Sequence, residues 1–128
     1  MNIARNTESK ETKVGNTMTV YEYPIMDDTL HGAVVELRGR YPEKGRVVNE
    51  KCYEVGYVIK GSGKLILEGA EIEFNEGDQL LIKPGQRYYW KANATMFMPC
   101  TPAWYPEQHK EVEYWMSEQM IEIVVFVP

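Results

Sequence analysis

The chain has 128 residues and a formal net charge of −5, with 44% hydrophobic and 26% charged residues. That length suits one hydrophobic core and is too short for two. The acidic balance excludes an extended phosphate-binding surface, which needs clustered Lys and Arg, and no apolar run approaches the roughly 18 residues of a bilayer span.

Residues 1–16 are polar and aperiodic and end in Gly15-Asn16, the pattern of a flexible leader or of a strand added late to a sheet edge. Met18–Tyr23 reads as a strand stopped by Pro24, and residues 26–32 as a loop. From Ala33 to Tyr41 the chain alternates. Val35, Leu37, Gly39 and Tyr41 share one face, and Glu36, Arg38 and Arg40 share the other. Pro42–Gly45 turns the chain, and strands are expected over Arg46–Glu50 and Cys52–Ile59.

The second of these segments is apolar on both sides: Val55, Tyr57 and Ile59 oppose Glu54, Gly56 and Val58. One side can bury in a core, and the other needs a cover, for which a second copy of the chain is the expected partner. Turn signals at Lys60–Gly63, Glu68–Ala70, Asn75–Asp78 and Lys83–Gln86 separate further short strand-forming segments, and Arg87–Lys91 and Thr95–Cys100 complete the run. About eight to ten strands with no helical interlude imply a sandwich or barrel. The expected organisation is a leader over 1–16, a barrel over 17–101 and an extension over 102–128. In that extension Pro106–Glu118 reads as a short helix with proline in its first turn, and Ile121–Val127 as a strand that needs an open edge of this barrel or of a partner.

Cys52 and Cys100 show neither C-x-x-C spacing nor a disulfide framework, so reduced thiols are expected. The first residues carry no apolar signal core, and the expected location is cytoplasmic.

Two blocks spanning roughly Gly45 to Asn93 resemble the cupin superfamily, in the single-domain form. In the first, Glu54-Val-Gly-Tyr-Val-Ile-Lys-Gly61 carries the glutamate and the spacing to a glycine. In the second, Gly77-Asp78, Ile82, Pro84-Gly85 and Tyr88 stand in family order. The resemblance implies an all-β, antiparallel jelly-roll barrel (a double-stranded β-helix), and the sequence beyond it admits the short C-terminal helix. Metal-binding cupins face their interior with histidines beside that glutamate. Here Val47, Val48, Asn49 and Glu50 span the place of the histidine pair, and Tyr88 holds that of the last. No transition metal and no cofactor is therefore expected, because such sites want imidazole as well as carboxylate. An atypical divalent set drawn from Glu54, Glu50 or Asn49 and His31 is the residual metal alternative. His31 and His109 sit in no ligand spacing.

By the resemblance, Glu54 and Tyr88 look inward from facing strands. Strand alternation adds Trp90 to Tyr88, and gives Met96, Met98 and Cys100 one shared parity. The expected ligand-binding set is Asn49, Glu54, Tyr88, Trp90, Met96, Met98 and Cys100, with Arg38 adding charge at the mouth. Such a lining suits a small, partly apolar metabolite, carbohydrate-like or a carboxylate. Two functions stay open: a binding module, and a metal-independent isomerase or epimerase with Glu54 and Tyr88 as acid and base. The aromatic residues read equally well as barrel filling.

Overall fold

The computed structural model describes residues 2–116 and 120–126. Ten antiparallel strands form one curled sheet: β1 (Lys10–Val14), β2 (Met18–Glu22), β3 (His31–Tyr41), β4 (Arg46–Asn49), β5 (Tyr53–Leu67), β6 (Ala70–Phe74), β7 (Gln79–Ile82), β8 (Arg87–Thr101), β9 (His109–Met116) and β10 (Met120–Phe126). This is the all-β jelly roll that the sequence predicts.

The 15-residue β8 organises it. Along one edge it pairs with β3 from Tyr41↔Trp90 to His31↔Cys100, and along the other with β5 from Tyr53↔Thr101 to Leu67↔Tyr88. Its even-numbered residues from Tyr88 to Cys100 are all buried, and none of the odd-numbered ones is. That strict period of two sends Trp90, Met96 and Met98 into the same core as Leu37 of β3 and Val58 of β5. Phe74 meets Trp90 edge-on, with ring centroids 5.8 Å apart at 86°, which suits the aromatic quadrupoles.

Short turns join the strands. Glu68 and Gly69 both have positive φ, 48° and 82°, between Leu67 and its partner Ala70. These are the conformations of a two-residue hairpin whose twist matches the strands.

Of the two readings of residues 1–16, the edge strand is the one found for residues 10–14, which form β1 at the sheet edge beside β2. Two sequence expectations change. Lys60–Gly63, read as a hairpin turn, lies inside β5, where the register against β8 shifts between Val58 and Lys60. The glycines there answer a close crossing of two strands. A methyl group on Gly61 would collide with the Asn93 carbonyl oxygen, and one on Gly63 with Ala92. The short C-terminal helix is absent over its described part: Pro106–Gln108 makes a single 3-10 turn and β9 follows at once. Pairing of β9 with both β4 and β10 outweighs a weak helical stripe, since strands gain their hydrogen bonds from neighbours that local sequence does not display.

Gly61→Ala should destabilise the fold by roughly 2–4 kcal/mol, combining overpacking with the cost of φ 89° for a residue bearing Cβ. Urea denaturation against a Gly69→Ala control separates the two causes, because Gly69 shares the positive φ but has open space around its missing Cβ.

Candidate functional site

The barrel holds a cavity of about 220 Å³ that opens to solvent, and six of its lining residues, Glu54, Tyr88, Trp90, Met96, Met98 and Cys100, belong to the set expected from sequence. Strand geometry explains the convergence. Glu54 on β5 lies directly opposite Cys100 on β8, and Tyr88 and Trp90 follow further along the inward face of β8. Asn49, fully buried at the end of β4, stands behind them.

Asn49 is the hub of a buried polar network. Its Nδ2 donates to Glu54 Oε1 at 2.6 Å, which aims its Oδ1 at His109 Nδ1, 2.7 Å away. Weaker donors to the same oxygen are the Tyr88 hydroxyl and Gln108 Nε2, both at 3.5 Å. An amide oxygen only accepts, so His109 carries its proton on Nδ1, and its Nε2 accepts from the Tyr41 hydroxyl at 2.9 Å. The Tyr41 ring lies within 9° of parallel to the imidazole, and Trp104 leans on it at 5.0 Å. Every buried side-chain nitrogen and oxygen among the described residues has a partner.

The network is delivered by two turns. Gln108 closes the 3-10 turn and its Oε1 accepts from the Cys52 backbone N–H at 3.1 Å, tying the turn to the β4–β5 loop. His109 then opens β9 directly across from Asn49. On the outside, Lys110 pairs with Glu50 at 3.0 Å.

Burial sets the charges. Desolvation pushes the Glu54 carboxyl up to about 7, partly opposed by hydrogen bonds from Asn49 and Tyr88. The same cause lowers His109 to about 4, so it is a neutral imidazole at physiological pH. Burial raises the Tyr88 and Tyr41 phenols, which stay protonated donors, and pushes the Cys100 thiol up to about 12, away from nucleophilic reactivity.

Arg38 is a correction. It is exposed on the outer face of β3, with Nη1 on the Leu37 carbonyl, because its neighbours Leu37 and Val35 take the inward parity. Tyr41, His109, Trp104 and Glu22 line the cavity although sequence reasoning left them out. Tyr41 was signalled by its parity with Val35 and Leu37. His109 was hidden by a segment that reads as helix, and Trp104 and Glu22 carried no signal. His31 also lines the cavity, with Nε2 donating to the Tyr23 carbonyl at 2.8 Å.

A sequence model of the cupin domain matches residues 34–100, more than half of the chain. The chain belongs to the cupin family. No curated protein matches it in sequence. Among solved structures it is similar to Pac13, described as a nucleoside dehydratase, at 15% identity and a TM-score of 0.80 over 94% of this chain and 98% of that one. Related structures of the Streptomyces protein, carrying a Tyr-to-Phe or a His-to-Gln change, hold uridine. The polyketide cyclase RemF of Streptomyces resistomycificus follows at 20% identity and a TM-score of 0.68, covering 92% of this chain and 88% of that one. KdgF of a Halomonas species gives 17% and 0.63 over 80% and 94%. Likeness at these identities establishes the fold alone.

The donor set does not fit the transition metal that many cupins hold. Among the described residues no group of three or more His, Cys, Asp or Glu side chains converges on a common point. The imidazole nearest Glu54's network, His109, has both ring nitrogens engaged by Asn49 and Tyr41. Glu50 turns outward to Lys110, and His31 is held by the Tyr23 carbonyl, so the atypical set is not assembled.

Glu54 and His109 pull stability in opposite directions with pH. Folding takes up a proton on Glu54 between its ordinary 4.5 and about 7, so its contribution is lost as pH rises through that window. Folding removes a proton from His109 between 6.5 and about 4, so its contribution is lost as pH falls through that window. Each is worth about 3 kcal/mol across its range. Urea unfolding at successive pH values should show Glu54→Gln gaining stability relative to the native protein from pH 4.5 to 7. His109→Gln should gain relative stability as pH falls from 6.5 to 4. Difference curves flat with pH would contradict these protonation states.

Proposed function

We propose that this cupin binds a small organic metabolite in its barrel and moves a proton on it without a metal, Glu54 acting as the base. The observation that carries this reading is a carboxyl buried in the wall of a mostly apolar cavity and balanced near neutral pH. Such a group takes a proton and gives it back at little cost. The Tyr88 phenol, held protonated beside it, is suited to hydrogen-bond a developing oxyanion.

The chemistry balances with these two groups alone. A ligand C–H proton passes to the Glu54 carboxylate. It then returns either to the neighbouring carbon, giving an isomer, or to a departing hydroxyl group, giving water and a new double bond. The fold shared with a nucleoside dehydratase supports the second outcome, and the size of the cavity supports a ligand of one or two rings. In the binding-only alternative, the same network serves to orient the ligand.

Proton exchange into candidate ligands in deuterated water, followed by NMR, decides between the two. Exchange should rise with pH through about 7 as Glu54 ionises and then level, and Glu54→Gln should lower it at least about 100-fold. Saturable binding with no exchange in the native protein would leave the binding-only function.

The protein is further proposed to be a homodimer. Tyr53, Tyr57, Leu81 and Phe97 are 41–51% exposed on the outer face of β5, β7 and β8, where Tyr57 pairs with Phe97 and Val55 with Leu81. This is the uncovered side of the segment that is apolar on both faces, and a second copy offers a self-complementary cover. Light scattering should give a dimer mass for the native chain and a monomer for Phe97→Glu combined with Tyr57→Glu; a native monomer refutes it.

A further inference from the structure

Resting on the reading of the barrel interior as the ligand site, we propose that its ligand is an uncharged ring compound rich in hydroxyl or N–H donors. Glu22 at the rim and Glu54 deeper in the cavity select it against phosphates and carboxylates.

Among the described residues the cavity wall holds two carboxylates and neither lysine nor arginine. A site for phosphate or carboxylate is ordinarily built from guanidinium, ammonium or clustered backbone N–H groups, and none of the cationic side chains is present here. An anion entering this barrel would shed its hydration beside Glu22 with no lysine or arginine in the lining to replace it.

The chain's cationic residues lie elsewhere. Arg38 is exposed on the outer face, and Arg40 stacks over Tyr89 while donating to the Pro42 and Gly45 carbonyls. Lys10 stands across from Glu22 in the β1–β2 register but is exposed and outside the cavity lining.

What the cavity offers is acceptors and flat apolar surface. A carboxylate has about four acceptor positions. Glu54 commits Oε1 to Asn49, which leaves acceptor capacity toward the cavity. The Glu22 side chain lines the cavity, while its backbone pairs with Lys10 and Ala33 in the sheet. Trp90 and Trp104 supply ring faces, and the Met18, Met96 and Met98 thioethers adapt to an irregular outline. Hydroxyl and N–H donors on a ring satisfy those acceptors, whereas an anionic group finds no lysine or arginine in the lining to pair with.

The test uses probes matched in shape and different in charge: uridine against uridine 5′-monophosphate, and glucose against glucuronate. Binding is measured by ligand-observed NMR and calorimetry to the native protein, Glu22→Gln, Glu22→Lys and Ala33→Trp, the last filling the cavity from β3. The neutral member of a pair should bind at least tenfold more tightly. Glu22→Lys should erase that preference, Glu22→Gln should reduce it, and Ala33→Trp should abolish binding. Equal or tighter binding of the anionic member that Ala33→Trp abolishes overturns the charge selection and keeps the site. Binding that survives Ala33→Trp, or no binding by any of the four probes, overturns the site and this inference with it.

A readout free of any ligand is the quenchable part of the tryptophan fluorescence in a Trp115→Phe background, which Trp104 supplies because the remaining Trp90 is buried. Acrylamide should quench it several-fold more effectively than iodide, relative to free tryptophan, and Glu22→Lys should restore iodide quenching. Equal quenching by the two in the native background overturns the selection.

Discussion

The structure depends on the pairing of one strand along both of its edges. β8 gives one edge to β3 and the other to β5, so every even-numbered side chain from Tyr88 to Cys100 must enter the same enclosed space. A shift of one residue would exchange this set for Tyr89, Lys91, Asn93, Thr95 and Phe97, and would place a lysine in the core. Register is therefore enforced by burial along the whole strand. Gly61 and Gly63 reinforce it where β5 comes too close to β8 for any side chain to intervene.

Within that frame the polar network solves one problem, which is how to hold a carboxyl in an apolar barrel. Asn49 donates to Glu54 with its nitrogen and accepts from His109 with its oxygen, so one amide fixes the carboxyl and the histidine tautomer together. Neutral His109 and largely neutral Glu54 lower the cost of burial, since ionising either in the interior would forfeit solvation. The arrangement leaves Glu54 poised to change charge close to neutral pH, which is the property that proton transfer requires.

Loss of the family's histidine pattern is thus accompanied by a different use of the same positions. Asn49 lies in the span that corresponds to the family's histidine pair, and Tyr88 at the position that corresponds to its last histidine. Asn49 donates directly to Glu54, and the Tyr88 hydroxyl reaches the same amide at 3.5 Å. The outer face of the same strands is apolar as well, so the β5–β7–β8 wall serves the cavity on one side and a proposed interface on the other.

The sequence by itself determined most of the strands, the barrel and six residues of the cavity wall, because inward and outward residues alternate with a period of two that can be read from the order of side chains. Glu54, Tyr88, Trp90, Met96, Met98 and Cys100 were legible for that reason. Tertiary structure alone decided what depends on contacts between distant segments. Lys60–Gly63 carries the composition of a turn, yet its glycines exist for a strand crossing. The segment after Pro106 carries a weak helical stripe, yet β4 and β10 draw it into the sheet. His109 could not be placed from sequence, since its partners Asn49 and Tyr41 lie 60 and 68 positions away. The charge state of Glu54 was hidden as well, because desolvation comes from everything that surrounds a residue and not from its neighbours along the chain.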